Sequence, residues 1–332
     1  LKRYGDLFTP RQLAALTTAQ AAALKSGQIA ALSGNQLQAL ESEDVAALSS
    51  GALLGLNAQS IGEFTNAQIR ALTSKQIFSL TTTVVAALSA DQIVSLGSVD
   101  VVALRTSHIA ALSGTQLAAM TTAQLSMLGT HQIAAIEASD ITSLTASQLQ
   151  ALSTRQANAL RSAQLAALTV DQLQSVQTDD LAAFSTQALQ GLSASQLAAL
   201  SDTQIAALAT REIAALVPQK FNGLSNSQLQ ALTTTQAAAL RSAQLAALSN
   251  SQLNAFETAD IRVLSTQALI GLTSNQIASL STTQFTAFNT RQISALNTLQ
   301  VSALNENHIT AMSSAQIAAL RTAQVAALSA SQ

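Results

Sequence analysis

Hydrophobic and polar residues follow a period of eight residues that is not interrupted between Thr9 and Leu328. With the places of each octad numbered one to eight, the consensus is Ser/Thr, Ser/Thr, any residue, Gln, Ile/Leu, a variable residue, Ala and Leu. Place five is apolar in all forty octads, and place eight is Leu in thirty-two of them and apolar in the other eight. Because residues three apart are neighbours on a helix, these two rows predict the core.

The first half of each octad predicts the start of a very short helix. In Ser153-Thr154-Arg155-Gln156, the hydroxyl three residues before a Gln is the pattern of a capping box, in which the two side chains satisfy free backbone N–H groups. Pro10 and Pro218 occupy place two, the first helical position, where proline is tolerated. The following QLAAL or QIAAL residues are good helix formers.

Some octads lack a hydroxyl at place one and carry it at place two, which predicts that their cap shifts by one residue. RSAQLAAL at 161–168 is such an octad, with Ser162 as the expected cap and Gln164 as its partner. The capping residues predicted in this way include Ser153, Gln156, Ser162, Gln164, Thr233 and Gln236. The core residues predicted from places five and eight include Leu160, Leu165, Leu168, Leu240, Leu245 and Leu248.

One uninterrupted helix does not fit this period. Eight residues at about 100° each move the apolar stripe by about 80° per octad, so that the stripe would wind around the helix. A flat strand does not fit either, because places five and eight would point to opposite faces. We therefore expect an all-α solenoid with one capped helix per octad, and a β-solenoid is the alternative.

The domain organisation follows from the unbroken register. Residues 1–8 form a partial or divergent first repeat, residues 9–328 form forty octads in one solenoid, and residues 329–332 begin a further repeat. Ser329–Gln332 ends halfway through an octad without a polar cap, although solenoids normally close with one. This favours either a segment of a longer array or an end that the next copy covers.

Octads STQALQGL (185–192) and STQALIGL (265–272) reveal a second rhythm, because similar octads recur 80 residues apart. Two explanations are open: a whole number of superhelical turns, or duplication in blocks of ten octads. Ten octads per turn would stack Arg161, Arg241 and Arg321 as like charges, which is unfavourable at close range. The sequence therefore favours duplication.

Composition narrows the functional classes. A net charge of −2 over 332 residues argues against a surface for nucleic acid or for an anionic membrane. The longest apolar runs, such as Val84–Leu88, have five residues, far fewer than the roughly 20 of a membrane span. No cysteine is present, so disulfides and cysteine-based metal sites are excluded.

The few residues that could carry chemistry have a simpler interpretation as helix caps. His108 and His308 replace Gln at place four, whereas His131 lies at an exposed place three. Aspartates that replace Gln at place four are favoured at helix N-termini by the helix dipole. They are Asp100, Asp140, Asp180 and Asp260. The sequence predicts no enzyme, no metal site and no cofactor.

Two resemblances bear on function. TTAQAAAL (17–24), TTTQAAAL (233–240) and SSAQIAAL (313–320) are similar to the LTTxQIxAL octapeptide arrays of very large, adhesin-like secreted or surface proteins of proteobacteria. That resemblance covers almost the whole chain and implies an extracellular, structural or adhesive role. FTPRQLAAL (8–16) resembles the first helix of a TAL-effector repeat, but the likeness ends after nine residues. DNA binding is therefore not expected.

The sequence favours a structural function. We expect a secreted or cell-surface rod that serves as a filament subunit or an adhesin stalk and stacks head to tail. Its expected partner is itself, as a homopolymer or within a longer parent chain, since an open heterologous contact propagates. The alternative is a binding surface for ice, water or glycan made of the exposed Thr, Ser and Gln rows.

Overall fold

The computed structural model describes residues 8–330 and residue 332. Each octad from Thr9 to Leu328 forms one helical segment, and thirty-nine of these segments are α-helices of four to six residues. The remaining segment, Val101–Ala103, is a 3₁₀ helix. Strands do not occur among the described residues. The prediction of an all-α solenoid is confirmed, and the alternative of a β-solenoid is not supported.

The chain divides into two compact units, Leu1–Leu168 and Thr169–Gln332. The α-helices of the first unit are α1 Pro10–Leu13, α2 Thr18–Ala22, α3 Ser26–Ile29, α4 Gly34–Gln38, α5 Ser42–Ala47, α6 Ser50–Leu53, α7 Ala58–Gly62, α8 Asn66–Ala71, α9 Ser74–Ser79, α10 Thr82–Ala86, α11 Ala90–Ser95, α12 Thr106–Ile109, α13 Gly114–Ala119, α14 Thr122–Met127, α15 Thr130–Ile133, α16 Ala138–Ile141, α17 Ala146–Gln150, α18 Thr154–Asn158 and α19 Ser162–Ala167.

The α-helices of the second unit are α20 Val170–Ser175, α21 Thr178–Ala183, α22 Thr186–Leu189, α23 Ala194–Ala198, α24 Asp202–Ala207, α25 Thr210–Ala215, α26 Pro218–Phe221, α27 Asn226–Gln230, α28 Thr234–Ala238, α29 Ser242–Ala247, α30 Asn250–Asn254, α31 Thr258–Val263, α32 Thr266–Leu269, α33 Ser274–Ser279, α34 Thr282–Thr286, α35 Thr290–Ala295, α36 Thr298–Ser302, α37 Glu306–Ala311, α38 Ser314–Ala318 and α39 Thr322–Ala326. That residues 9–328 form one solenoid stays a prediction. The predicted partial repeat 1–8 lies, except for Phe8, outside the described residues.

Two extended residues at each octad junction keep the helices short. Leu72 closes α8 with φ −60° and ψ 129°, and Thr73 opens α9 with φ −78° and ψ 155°. These angles are open to any residue, so the turn needs no glycine. Among the described residues, none has a positive φ. The chain therefore changes direction at every Leu-to-Ser/Thr junction, as the sequence predicts.

Within each unit, helices pack on helices three octads away along the chain. In the first unit α2 packs on α5 and α5 on α8, and in the second α28 packs on α31. Side-chain hydrogen bonds join octads four apart, at separations of 28 and 31 residues. One turn of the solenoid therefore takes three to four octads. This excludes ten octads as a single turn.

The core consists of places five and eight. Leu165 and Leu245 at place five are 0% exposed, and their place-eight neighbours are buried as well. The buried leucines of the predicted set are Leu160, Leu165, Leu168, Leu240, Leu245 and Leu248. At place six, the side chains Arg70, Gln150, Asn158 and Arg262 are exposed.

Candidate functional site

The predicted capping pairs form hydrogen bonds at the start of the helices. The Ser153 hydroxyl accepts from the Gln156 N–H at 3.4 Å, and Gln156 Oε1 accepts from the Ser153 N–H at 2.9 Å. Thr233 and Gln236 make the same pair of bonds, at 3.3 and 2.7 Å. Each pair satisfies two backbone or side-chain groups that a helix N-terminus leaves open.

In RSAQLAAL the cap does not shift to Ser162. The N-cap residue is Arg161, with an extended backbone, and Ser162 is the first residue of α19. The Arg161 N–H donates to Gln164 Oε1 at 2.8 Å, so that Gln164 closes the helix start without a hydroxyl. The reason is that the extended junction of two octads fixes the N-cap at place one, whatever side chain stands there.

Glutamine at place four has a second role that the sequence analysis did not find. The Nε2 atom of Gln292 donates to the carbonyl oxygens of Ile261 and Leu264, at 2.9 and 2.8 Å, four octads earlier. Gln68 does the same toward Leu37 and Leu40. We call such a place-four side chain a rung. It joins the N-terminus of one helix to carbonyls at the C-terminal end of a helix one turn earlier.

The sequence contains a signal for this role. A capping box accepts Glu as readily as Gln, because only the side-chain oxygen is used. Among the forty complete octads, however, Glu212 is the only glutamate at place four. The preference for Gln indicates that the amide must also donate a hydrogen bond.

Other donors at place four reach the same region. His108 Nδ1 accepts from the Arg105 N–H at 3.2 Å, and His108 Nε2 lies 3.0 Å from the Leu80 carbonyl oxygen. His308 Nε2 lies 2.8 Å from the Leu280 carbonyl oxygen. A neutral imidazole with its proton on Nε2 would match the amide of Gln in this position. The two histidines thus occupy rungs.

Lys220 is the basic substitute. Its Nζ atom donates to the carbonyl of Gln190, 30 residues earlier. The acidic substitutes behave differently because an ionised carboxylate can only accept. Asp44, Asp180, Glu212 and Asp260 are buried, and Asp44 Oδ2 has no hydrogen-bond partner. The sequence analysis singled out Asp100 and Asp140 as well, which are only half-buried.

Burial governs the pKa values of these acids. It raises the pKa of Asp260 to about 6, with the neighbouring Glu257 charge adding to the effect. It raises the pKa of Glu212 to about 7, against the opposing effects of the Ala209 N–H and of Arg211. The pKa values of Asp44 and Asp180 are raised for the same main reason.

A shallow surface groove of about 570 Å³ lies on the first unit. Alanines line most of it, and His131, Glu137 and Arg161 stand at its polar parts. Within 8–330 and 332, no three His, Asp or Glu side chains are grouped closely enough to hold a metal ion. The helices described are all too short to cross a bilayer.

The first helices present donors that have no acceptor. Gln12 and Gln20 are exposed and Gln28 is half-buried, and each uses its Oε1 atom to accept the N-cap N–H of its own octad. Their Nε2 atoms donate to nothing among the described residues. At the corresponding interior position, Gln236 is 1% exposed and donates to Leu208 at 2.7 Å. The face formed by Gln12, Gln20 and Gln28 is the donor face.

The last helices present the matching acceptors. Within the described chain, the carbonyl oxygens of Met312, Leu320 and Leu328 accept no hydrogen bond, although the equivalent Leu304 carbonyl accepts from Gln332. Beside them the core is open, since Ile317 is 44% and Val325 is 52% exposed. We call the face formed by Met312, Ile317, Leu320, Val325 and Leu328 the acceptor face.

The sequence also matches the model of one protein family, the ALTTAQ repeat. The matches cover residues 7–34, 37–74, 61–98, 93–130, 133–170, 173–210 and 253–290. A comparison with curated proteins finds no match. Because the seven matches together span more than half of a chain built throughout from Gln-bearing octads, the chain belongs to the ALTTAQ repeat family.

Proposed function

We propose that this chain is a structural protein of the cell exterior, a stiff rod that serves as a filament subunit or as the stalk of an adhesin. The observation that carries the proposal is the recurrence of the rung. A side chain such as Gln292 or Gln68 fastens each turn to the previous one with two hydrogen bonds. A wall held together in this way resists extension, because stretching it leaves buried polar groups without partners.

The distribution of polar groups agrees with a mechanical role. The octad hydroxyls at place one, such as Ser153 and Thr233, accept from backbone N–H groups and so serve the helix starts. Their engagement leaves mainly places two and three for an outside ligand. This favours a structural role over the second candidate, a surface for ice or glycan.

The donor face and the acceptor face support growth by end-to-end stacking. If further octads continue the interior register beyond Leu328, Gln12, Gln20 and Gln28 of the added segment meet the carbonyls of Met312, Leu320 and Leu328. The same contact would cover the exposed Ile317 and Val325. The added octads can belong to a second copy or to a neighbouring stretch of a longer chain, and the interface is the same.

The proposed location, secreted or on the cell surface, rests on the resemblance to adhesin-like arrays and on the absence of cysteine and of strong charge. Small-angle scattering of the purified chain tests the rod. We expect a cross-section that stays constant along the particle and a maximum dimension many times that cross-section. A compact globular profile would overturn the proposal.

Variants of the donor face test the stacking. The triple change Gln12→Glu, Gln20→Glu and Gln28→Glu keeps an oxygen for each helix start, as Glu212 does for the Ala209 N–H. It removes the outward donors and places carboxylates against carbonyl oxygens. At pH 8 we expect the concentration-dependent assembly of the parent chain to be lost, in light scattering and in electron micrographs.

The matched control carries the same added charge elsewhere. It is the triple change Gln59→Glu, Gln187→Glu and Gln267→Glu, at exposed place-three positions. Assembly of the control should equal that of the parent chain. Assembly that survives the donor-face changes, or that the control changes abolish equally, would rule out this joint.

A further inference from the structure

Glu212 occupies the place of a rung without the chemistry of one. It lies in α25 at place four and its side chain is fully buried. Glu212 Oε2 accepts the Ala209 N–H at 2.7 Å, which is what the Oε1 atom of a glutamine does in other octads. The second oxygen, Oε1, therefore corresponds to the position where a glutamine carries its Nε2 donor.

The partners of that position are set by the register. Rungs donate to carbonyls 31 and 28 residues earlier, which for Glu212 are those of Leu181 and Phe184. Among the described residues, nothing donates to the Phe184 carbonyl. An ionised Glu212 would face these carbonyls with an acceptor only, whereas a protonated carboxyl group has an O–H to donate.

The charges around Glu212 are few. Arg211 Nη2 lies 3.4 Å from Glu212 Oε1, but the Arg211 side chain is 62% exposed and its charge is screened by water. The helices α22 and α28, which pack against α25, carry no charged residue. Burial is therefore the dominant influence, and it raises the pKa of Glu212 to about 7.

The helix one turn earlier adds two acids. In α21, Asp179 is exposed and Asp180 is buried, and the pKa of Asp180 is itself raised, mainly by burial and next by Asp179. Negative charge on this helix disfavours a second negative charge on Glu212. It acts in the same direction as burial.

We propose that Glu212 is a rung that closes on protonation: a proton from solvent on Oε1 turns the carboxyl group into a donor to the carbonyls of Leu181 and Phe184, and release of the proton opens it. Only the O–H bond is made or broken. The inference does not depend on the extracellular or filament role. It makes the joint between α21 and α25 tighter in mildly acidic solution than in alkaline solution.

The sign follows from linkage. The pKa of Glu212 in the folded chain lies above its ordinary value of 4.5. Its stabilising contribution is therefore complete below about pH 4.5 and is lost as the pH rises through about 7. Across this range the folded state holds about one proton more than the unfolded state.

The first experiment is a titration of the glutamate side-chain carbons by NMR in the full chain. We expect one glutamate resonance with a midpoint near pH 7, absent from Glu212→Gln. A midpoint near 4.5 for Glu212 would overturn the proposal. A midpoint near 7 without any change at the joint would also overturn it, and the second experiment separates these results.

The second experiment measures amide hydrogen exchange of α21 and α25 at pH 5.5 and pH 8, corrected for the intrinsic exchange rates. In the parent chain, we expect protection of these helices to fall on the order of tenfold or more between the two values. In Glu212→Gln, whose amide is a permanent donor, protection should be high at both. The control Glu306→Gln changes an exposed glutamate of the same unit and should behave as the parent chain does.

Discussion

The Nε2 atom of Gln292 lies 2.8 Å from the carbonyl oxygen of Leu264, which precedes it by 28 residues. The Oε1 atom of the same amide accepts the N–H of Asn289 at 2.8 Å. One side chain thereby satisfies an open donor at the start of α35 and an open acceptor just past the end of α31. Since four- to six-residue helices consist largely of such ends, this amide removes their main energetic cost.

Changing Gln292 to Leu should therefore destabilise the second unit although the side chain becomes more apolar. The buried Leu264 carbonyl loses a partner, and a buried polar group without a partner costs about 1–3 kcal/mol. The measurement is the free energy of unfolding by urea. Gln267→Leu, at an exposed place three, provides the comparison and should stay within about 0.5 kcal/mol of the parent chain. Equal effects at the two positions would contradict the importance of the rung.

The helix, its cap and its buried face could all be predicted, because they depend on residues within one octad. Ser153 and Gln156 are three residues apart, and Leu165 and Leu168 lie on one face of one helix. The partner of Gln292 Nε2 is 28 residues away, and nothing within an octad fixes how many octads make one turn. For that reason the capping role of glutamine could be predicted and its joining role could not.

The position of the cap in RSAQLAAL could not be predicted for a related reason. Local propensity favours a hydroxyl at the N-cap, which suggests Ser162. The backbone is set instead by the packing of Leu160 and Leu168, whose period does not shift when the side chain at place one changes. Tertiary packing therefore overrides the preference of the cap, and Arg161 takes that place.

Two serine variants distinguish a cap from a first helical residue. Ser153→Ala removes the acceptor for the Gln156 N–H and should lower the free energy of unfolding by about 1 kcal/mol. Ser162→Ala removes no cap bond, because Ser162 is the first residue of α19, and should change stability by less than about 0.5 kcal/mol. Thermal unfolding followed by circular dichroism measures both. A larger loss at Ser162 than at Ser153 would restore the shifted cap.

Two glycine variants test the close approach at place seven. A Cβ on Gly271 would lie 2.0 Å from the Ser242 carbonyl oxygen, so Gly271→Ala forces the backbone apart and should cost about 1–3 kcal/mol. A Cβ on Gly62 would meet nothing within 4 Å, so Gly62→Ala should stabilise the chain by about 0.4–1 kcal/mol. The free energy of unfolding of each variant checks the pair. Two changes of the same sign would show that place seven leaves more room than the backbone indicates.

His108 should give the first unit a pH dependence opposite in sign to that of Glu212. Burial lowers the pKa of His108 below its ordinary value of 6.5, and the Arg105 charge lowers it further. The unfolded chain then takes up a proton near pH 6.5 before the folded chain does. The contribution of His108 to stability is therefore complete above pH 6.5 and decreases as the pH falls below it.

Replacing His108 by Gln separates this effect from every other titration in the chain. The amide can accept the Arg105 N–H and donate to the Leu80 carbonyl as the neutral imidazole does, but it cannot be protonated. In hydrogen exchange of α12, we expect parent and variant to agree at pH 8 and the variant to be better protected at pH 5. His131→Gln, at an exposed place three, is the control and should leave the parent's response to acid unchanged. If parent and His108→Gln lose protection equally in acid, the imidazole is not acting as a neutral rung, and the acid response of this unit has another origin.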